Sequence, residues 1–219
     1  MSDTPIDVFI DLPSFPGPVQ AGRLWSHFRK GRESASFEYN KEWLANPHRF
    51  ALEPLLPLAD GTFHTNPGQS VFGAIGDSTP DRWGRILMRR AELARARTAN
   101  ESPHTLSELD YLLRVNDEAR QGALRFSQDG GQSFCAPPGS TPIPPLVNLS
   151  RLLHAADHFC RDDENAEDLR LLLAPGSSLG GARPKASVKD KKGNLCIAKF
   201  PRYDDEYNVV AWEAVALTL

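Results

Sequence analysis

The stretch from Ser127 to Pro145, SQDGGQSFCAPPGSTPIPP, constrains this chain most, because five prolines fall between Pro137 and Pro145. Proline locks φ and has no N–H to donate, so the run continues neither a helix nor a central strand. It reads as a Pro-rich linker over 129–146, with one unit at 1–128 before it and a second at 147–219 after it. A chain of 219 residues holds two such units with enough material for a buried core.

Composition narrows the class. Lys+Arg number 25 against 28 Asp+Glu, a formal net charge of −3, and 40% of residues are hydrophobic. That balance excludes a disordered chain and argues against a nucleic-acid coat or a polybasic membrane binder. Met1-Ser2-Asp3-Thr4-Pro5 has neither the basic nor the apolar region of a signal peptide. No apolar run reaches the ~20 residues that span a bilayer. Cys135, Cys160 and Cys196 are odd in number and far apart, which suits reduced thiols. These features predict a soluble cytoplasmic protein.

The first unit opens with strand patterns at Ile6–Leu12 and Ser34–Tyr39. Thr79-Pro80-Asp81 predicts a helix start with Thr as cap and Pro at the first helical position. Ile86, Leu87, Ala91 and Ala94 continue it at helical period. Thr105-Leu106-Ser107-Glu108 has capping-box spacing ahead of a second helix carrying Leu109, Leu112 and Leu113 inward. Gly122–Phe126 returns as a strand, so this half is α+β. In the second unit, Leu149–Cys160 and Ala166–Leu173 read as helices and Ser177–Lys185 as a loop. Strands follow at Ala186–Lys189 and Leu195–Phe200, with a turn between them. Asp204-Asp205-Glu206 suits the start of a last helix. Val215–Leu219 stays apolar with no stop signal, so that helix reads as unfinished and the chain as the front part of a longer protein.

Chemistry concentrates in Gly176-Ser177-Ser178-Leu179-Gly180-Gly181-Ala182-Arg183-Pro184-Lys185. Adjacent glycines let backbone N–H groups approach an anion, and small neighbours leave room for a phosphate chain. The spacing is neither a Walker A loop nor a dinucleotide fingerprint, and a plain turn is the simpler alternative. Lys199 shares a strand face with Leu195 and Ile197, which places its ammonium beside a core face. Such a charge needs an anionic partner, either Glu213, 14 residues later, or a nucleotide phosphate, unless it snorkels into water. Gly-rich loop, strand, turn, strand with Lys, then helix with Glu is the order of a protein-kinase N-lobe.

GSSLGGARPK, the Lys199 strand and WEAVALTL together resemble the HipA family of toxin–antitoxin Ser/Thr kinases. Phe37–Pro47, Ala51–Leu58, Val71–Arg85 and Gln121–Phe126 resemble, in order, segments of that family's N-terminal region. The resemblance implies an N-terminal α/β subdomain followed by a truncated kinase-like N-lobe, with ATP and Mg²⁺ as cofactors. By position, Gly180, Gly181, Ala182, Arg183, Pro184 and Lys185 would line the phosphates, with Lys199 contacting them and Glu213 orienting Lys199. Ser178 matches the autophosphorylated loop serine, with Ser177 as a neighbouring alternative. A new dianion there would repel ATP. The family also implies a helix-turn-helix antitoxin as partner, DNA only through it, and a protein substrate such as an aminoacyl-tRNA synthetase.

Phosphoryl transfer needs a base-like Asp and metal-holding Asn and Asp residues, and no such pattern follows Lys199. This chain alone therefore carries no catalytic residue and no Mg²⁺ ligand; kinase activity belongs to the full-length form. The alternative is a catalytically incomplete short form that binds antitoxin or nucleotide. His154 and His158 share a helix face near Cys160, but without a second ligand cluster a polar helix face is the better account than zinc. Arg82, Arg85 and Arg89 share another face, better read as solvated than as a phosphate stripe.

Overall fold

The computed structural model describes residues 5–136, 143–176 and 179–219. In chain order the first elements are β1 (Ile6–Ile10), β2 (Val19–Arg29), β3 (Arg32–Tyr39), α1 (Lys41–Ala45) and β4 (Thr62–His64). Then come α2 (Gly73–Gly76), α3 (Arg82–Ala99), α4 (Glu108–Leu113) and β5 (Leu124–Ser127). The last are α5 (Leu149–Cys160), α6 (Ala166–Gly176), β6 (Lys185–Lys189), β7 (Leu195–Lys199) and α7 (Val209–Thr218). The fold is α+β.

Contacts group these elements into two compact units, residues 1–79 with 106–136, and 80–105 with 137–219. This division differs from the linear one expected at the Pro-rich stretch. Helix α3 lies in the first half of the sequence but packs in the second unit. The reason is its apolar stripe: Trp83 and Leu87 are buried among Leu152, Phe159, Leu172 and Val188. The described ends of the expected linker are packed too. Cys135 N–H donates to the Phe126 carbonyl at 2.8 Å, and the Pro144 carbonyl accepts from Lys189 at 2.9 Å.

The first unit is built on an antiparallel sheet in the order β4-β3-β2-β1-β5. Strand β1 is buried on both faces. Ile6, Val8 and Ile10 point to a core with Phe37, Trp43, Phe72 and Phe126, while Asp7 on the other face accepts from Gln20 and Arg23. Ser107 caps α4 and exchanges hydrogen bonds with Asp110, a capping box two residues later than the Thr105–Glu108 spacing suggested. Arg120 staples the unit, donating to the carbonyls of Ser78, Leu112 and Val115 at 3.0, 2.9 and 3.1 Å. Burial pulls its guanidinium down to about 10, against the pull of Asp117.

In the second unit α3 begins at Arg82 with Asp81 as N-cap; Thr79, expected to cap, instead bonds back to the Gly76 carbonyl. Helices α5 and α6 pack with α3 and β6 around Trp83, Phe159 and Leu172. Helix α7 is capped by Asn208, not started by the acidic run, because Asp205 is engaged by Arg183 and by the Arg202 amide. Among the described residues, no helix is long and apolar enough to cross a membrane.

Candidate functional site

Strands β6 and β7 form a two-stranded antiparallel sheet in which Lys185 faces Lys199, Ala186 faces Ala198 and Val188 faces Cys196. The Phe200 amide donates to the Pro184 carbonyl at 3.0 Å. Pro184–Phe200 is thus the hydrogen-bonded pair, and Lys185–Lys199 beside it is the non-hydrogen-bonded kind, whose side chains stand closest. Two ammonium groups are thereby brought to one face. Burial, and then the Lys199 ammonium, hold Lys185 below its ordinary value, while Asp81 and Glu213 pull the other way.

Lys199 is ion-paired with Glu213 of α7. Its setting differs from the expected core face, since Leu195 and Ile197 are 49% and 53% exposed. The hairpin's inward side is instead Ala186, Val188 and Phe200. The apolar alternation of β7 signals a strand, but its larger side chains face out. The Lys199–Glu213 pair is therefore partly solvated, and its ammonium stays accessible to a further anion.

The Gly-rich loop is held by α3. Gly181 N–H donates to Asp81 Oδ2 at 2.6 Å, and the Gly181 carbonyl accepts from Trp83 N–H at 3.0 Å. Gly181 has φ +76°, a left-handed conformation that suits glycine. Hydrogen bonds from the Gly181 and Arg82 amides hold the Asp81 carboxyl below the usual carboxylate range. Lys185 Nζ bonds the Gly180 carbonyl, and Trp83 Nε1 donates to the Lys185 carbonyl at 2.9 Å. Arg183 reaches away to Asp205 at 2.5 Å. Leu179 and Pro184 are buried anchors, whereas Gly180, Gly181 and Ala182 are exposed between them. Ser177 and Ser178 lie outside the described residues.

The geometry thus brings Gly180, Gly181, Lys185, Lys199 and Glu213 into one neighbourhood. Arg183 is committed to an ion pair, and the Pro184 carbonyl to the β7 edge. Sequence reasoning missed Asp81 and Trp83 as loop contacts. Asp81 was legible as a helix-start residue, but its second oxygen bonds a residue 100 positions away.

A family model for the HipA N-terminal domain matches residues 17–127, half of the 219-residue chain. The chain belongs to the HipA N-terminal domain family. No curated protein matches it. The HipA segment includes Asp81 and Trp83 but ends before the Gly-rich loop, so the loop is held by residues of the HipA segment while lying outside it.

The other candidates have local partners. His158 Nδ1 pairs with Asp168 at 3.0 Å, and the hydrogen bond raises the His158 imidazole above its ordinary 6.5. His154 is exposed, and burial pushes the Cys160 thiol up. Among the described residues no group of three or more His, Cys, Asp or Glu is placed to hold a metal ion. Arg85 Nε donates to the Pro80 carbonyl at 2.8 Å, and Arg82 and Arg89 are exposed.

Proposed function

We propose that residues 179–213 form the phosphate-facing part of a HipA-like Ser/Thr kinase N-lobe, and that this chain binds ATP there. The observation that carries the reading is the Lys199–Glu213 ion pair beside a second lysine, Lys185, directly opposite on the neighbouring strand and on the same face of the sheet. Like charges set opposite on a small sheet cost stability, so an anionic ligand between them is the natural compensation. In this reading Lys199 and Lys185 bind the phosphate chain, Glu213 orients Lys199, and Gly180 to Pro184 form the loop over it. A fit for ATP rests on this donor set; Mg²⁺ would supply charge neutralisation between phosphate oxygens. The reading assigns no residue of this chain as catalytic base or metal ligand.

The family further suggests a cytoplasmic toxin–antitoxin role, with Ser178 as the autophosphorylated residue. A helix-turn-helix antitoxin, DNA through it, and a protein substrate such as an aminoacyl-tRNA synthetase complete the proposal. The test is calorimetric titration of ATP and of AMP into the chain and into Lys199→Ala. The reading expects ATP to bind, AMP to bind far more weakly, and Lys199→Ala to lose about tenfold or more in ATP affinity. Equal affinity for ATP and AMP, or no effect of Lys199→Ala, would contradict it.

A further inference from the structure

The amide of Gly181, an exposed residue of the Gly-rich loop, already has an anionic acceptor. Asp81 gives one carboxylate oxygen to its own helix, accepting from Arg82 N–H at 2.7 Å, and the other to Gly181 N–H at 2.6 Å. Trp83 N–H closes the clasp from the other side of the same residue, on the Gly181 carbonyl. We propose that Asp81 is a latch on the Gly-rich loop, its carboxylate standing where a polyphosphate oxygen would bind, so that the anion must displace it.

The inference rests on the phosphate-binding reading above. Charge supports it. With the latch closed, Asp81 and Glu213 offset Lys185 and Lys199; with Asp81 turned away, the same neighbourhood carries a net positive charge for the incoming anion. Arg85 and Arg183, also near, are held by the Pro80 carbonyl and by Asp205. Release strands no buried ion, because Asp81 is exposed and its freed oxygen passes into water. The Trp83–Gly181 bond and the Leu179 anchor can stay in place meanwhile.

Asp81→Asn isolates the latch. Asn caps helices about as well as Asp, so the start of α3 is kept. With its single carbonyl oxygen on Arg82 N–H, the amide NH₂ faces Gly181 N–H and cannot accept from it. Inorganic triphosphate is titrated calorimetrically into the full wild-type chain and into Asp81→Asn, and Gly181 amide exchange is followed by NMR without ligand. The expected result is triphosphate affinity about three- to tenfold tighter in Asp81→Asn, with faster Gly181 exchange. Binding seen only in the variant also supports the latch. Wild-type binding that is equal or tighter overturns the latch and leaves the phosphate reading standing. No binding in either chain overturns the phosphate reading and the gating with it; unchanged Gly181 exchange overturns the latch as a contact.

Discussion

Lys185 of β6 and Lys199 of β7 stand directly opposite each other, at a non-hydrogen-bonded position where cross-strand side chains approach closest. Glu213 answers one ammonium, and the Gly180 carbonyl the other. Two like charges in this register are a stability cost without a ligand and an asset with one. Lys185→Gln should therefore move stability and binding in opposite directions. Thermal or urea unfolding should show stability unchanged or raised by up to about 0.5 kcal/mol, while triphosphate affinity falls. A parallel loss of both would mean that Lys185 is structural.

Arg120 is nearly fully buried, and it satisfies three carbonyls of the first unit, one at the C-terminal end of α4 and two outside it. Its guanidinium also lies over the Phe126 ring, 4.9 Å from the centroid. Arg120→Ala leaves those carbonyls without their donor, while Asp117 keeps its pair with Arg125. Urea unfolding should show a loss of about 3–5 kcal/mol. A loss below about 1 kcal/mol would show that water replaces the staple.

Gly176 closes α6 against α3, and a Cβ there would stand 2.7 Å from Leu87 Cδ1 and 3.1 Å from Trp83 Nε1. Gly176→Ala should destabilise the chain by about 1–3 kcal/mol through overpacking. Adding Leu87→Ala should recover part of the Gly176→Ala penalty, because the nearer clash is with the flexible end of Leu87. Additive losses in the double variant, measured by chemical denaturation, would place the strain elsewhere.

The His158–Asp168 pair sets a pH dependence. Because the folded imidazole is raised above 6.5, its stabilisation is fully present below that pH and is lost as pH rises through the folded value. Relative to His158→Gln, the wild-type chain should lose stability as pH rises above 6.5 and through the folded value. The effect should be small, since the pair is partly exposed. Parallel pH profiles for the two chains would show that the pair contributes nothing.

Much of the second unit could be read from local pattern. Helical period gave α5 over the same residues, Leu149–Cys160, and α6 from Ala166, although α6 runs on to Gly176 through Pro175. The two strands and the Lys199–Glu213 partnership were also legible. What local pattern could not give was which side of β7 is inward: Leu195 and Ile197 alternate as a buried face would, yet Ala198 and Phe200 pack inside. Nor could it place α3, whose Trp83 and Leu87 find their partners at Leu152 and beyond. Strand β2 escaped because Gly22, Arg23 and Ser26 break its apolar alternation, and sheet pairing on both sides supplies what propensity lacks. The Asp81–Gly181 contact joins residues 100 apart, and nothing in either neighbourhood announces it.

The most direct test of the account is calorimetric titration of ATP into the wild-type chain and the Lys185→Ala/Lys199→Ala double variant, with the two chains compared at each of several salt concentrations. The account predicts measurable binding by the wild-type chain that weakens as salt rises, and a loss of about a hundredfold or more in the double variant. ATP affinity that is undetectable in the wild-type chain, or equal in both, would contradict it.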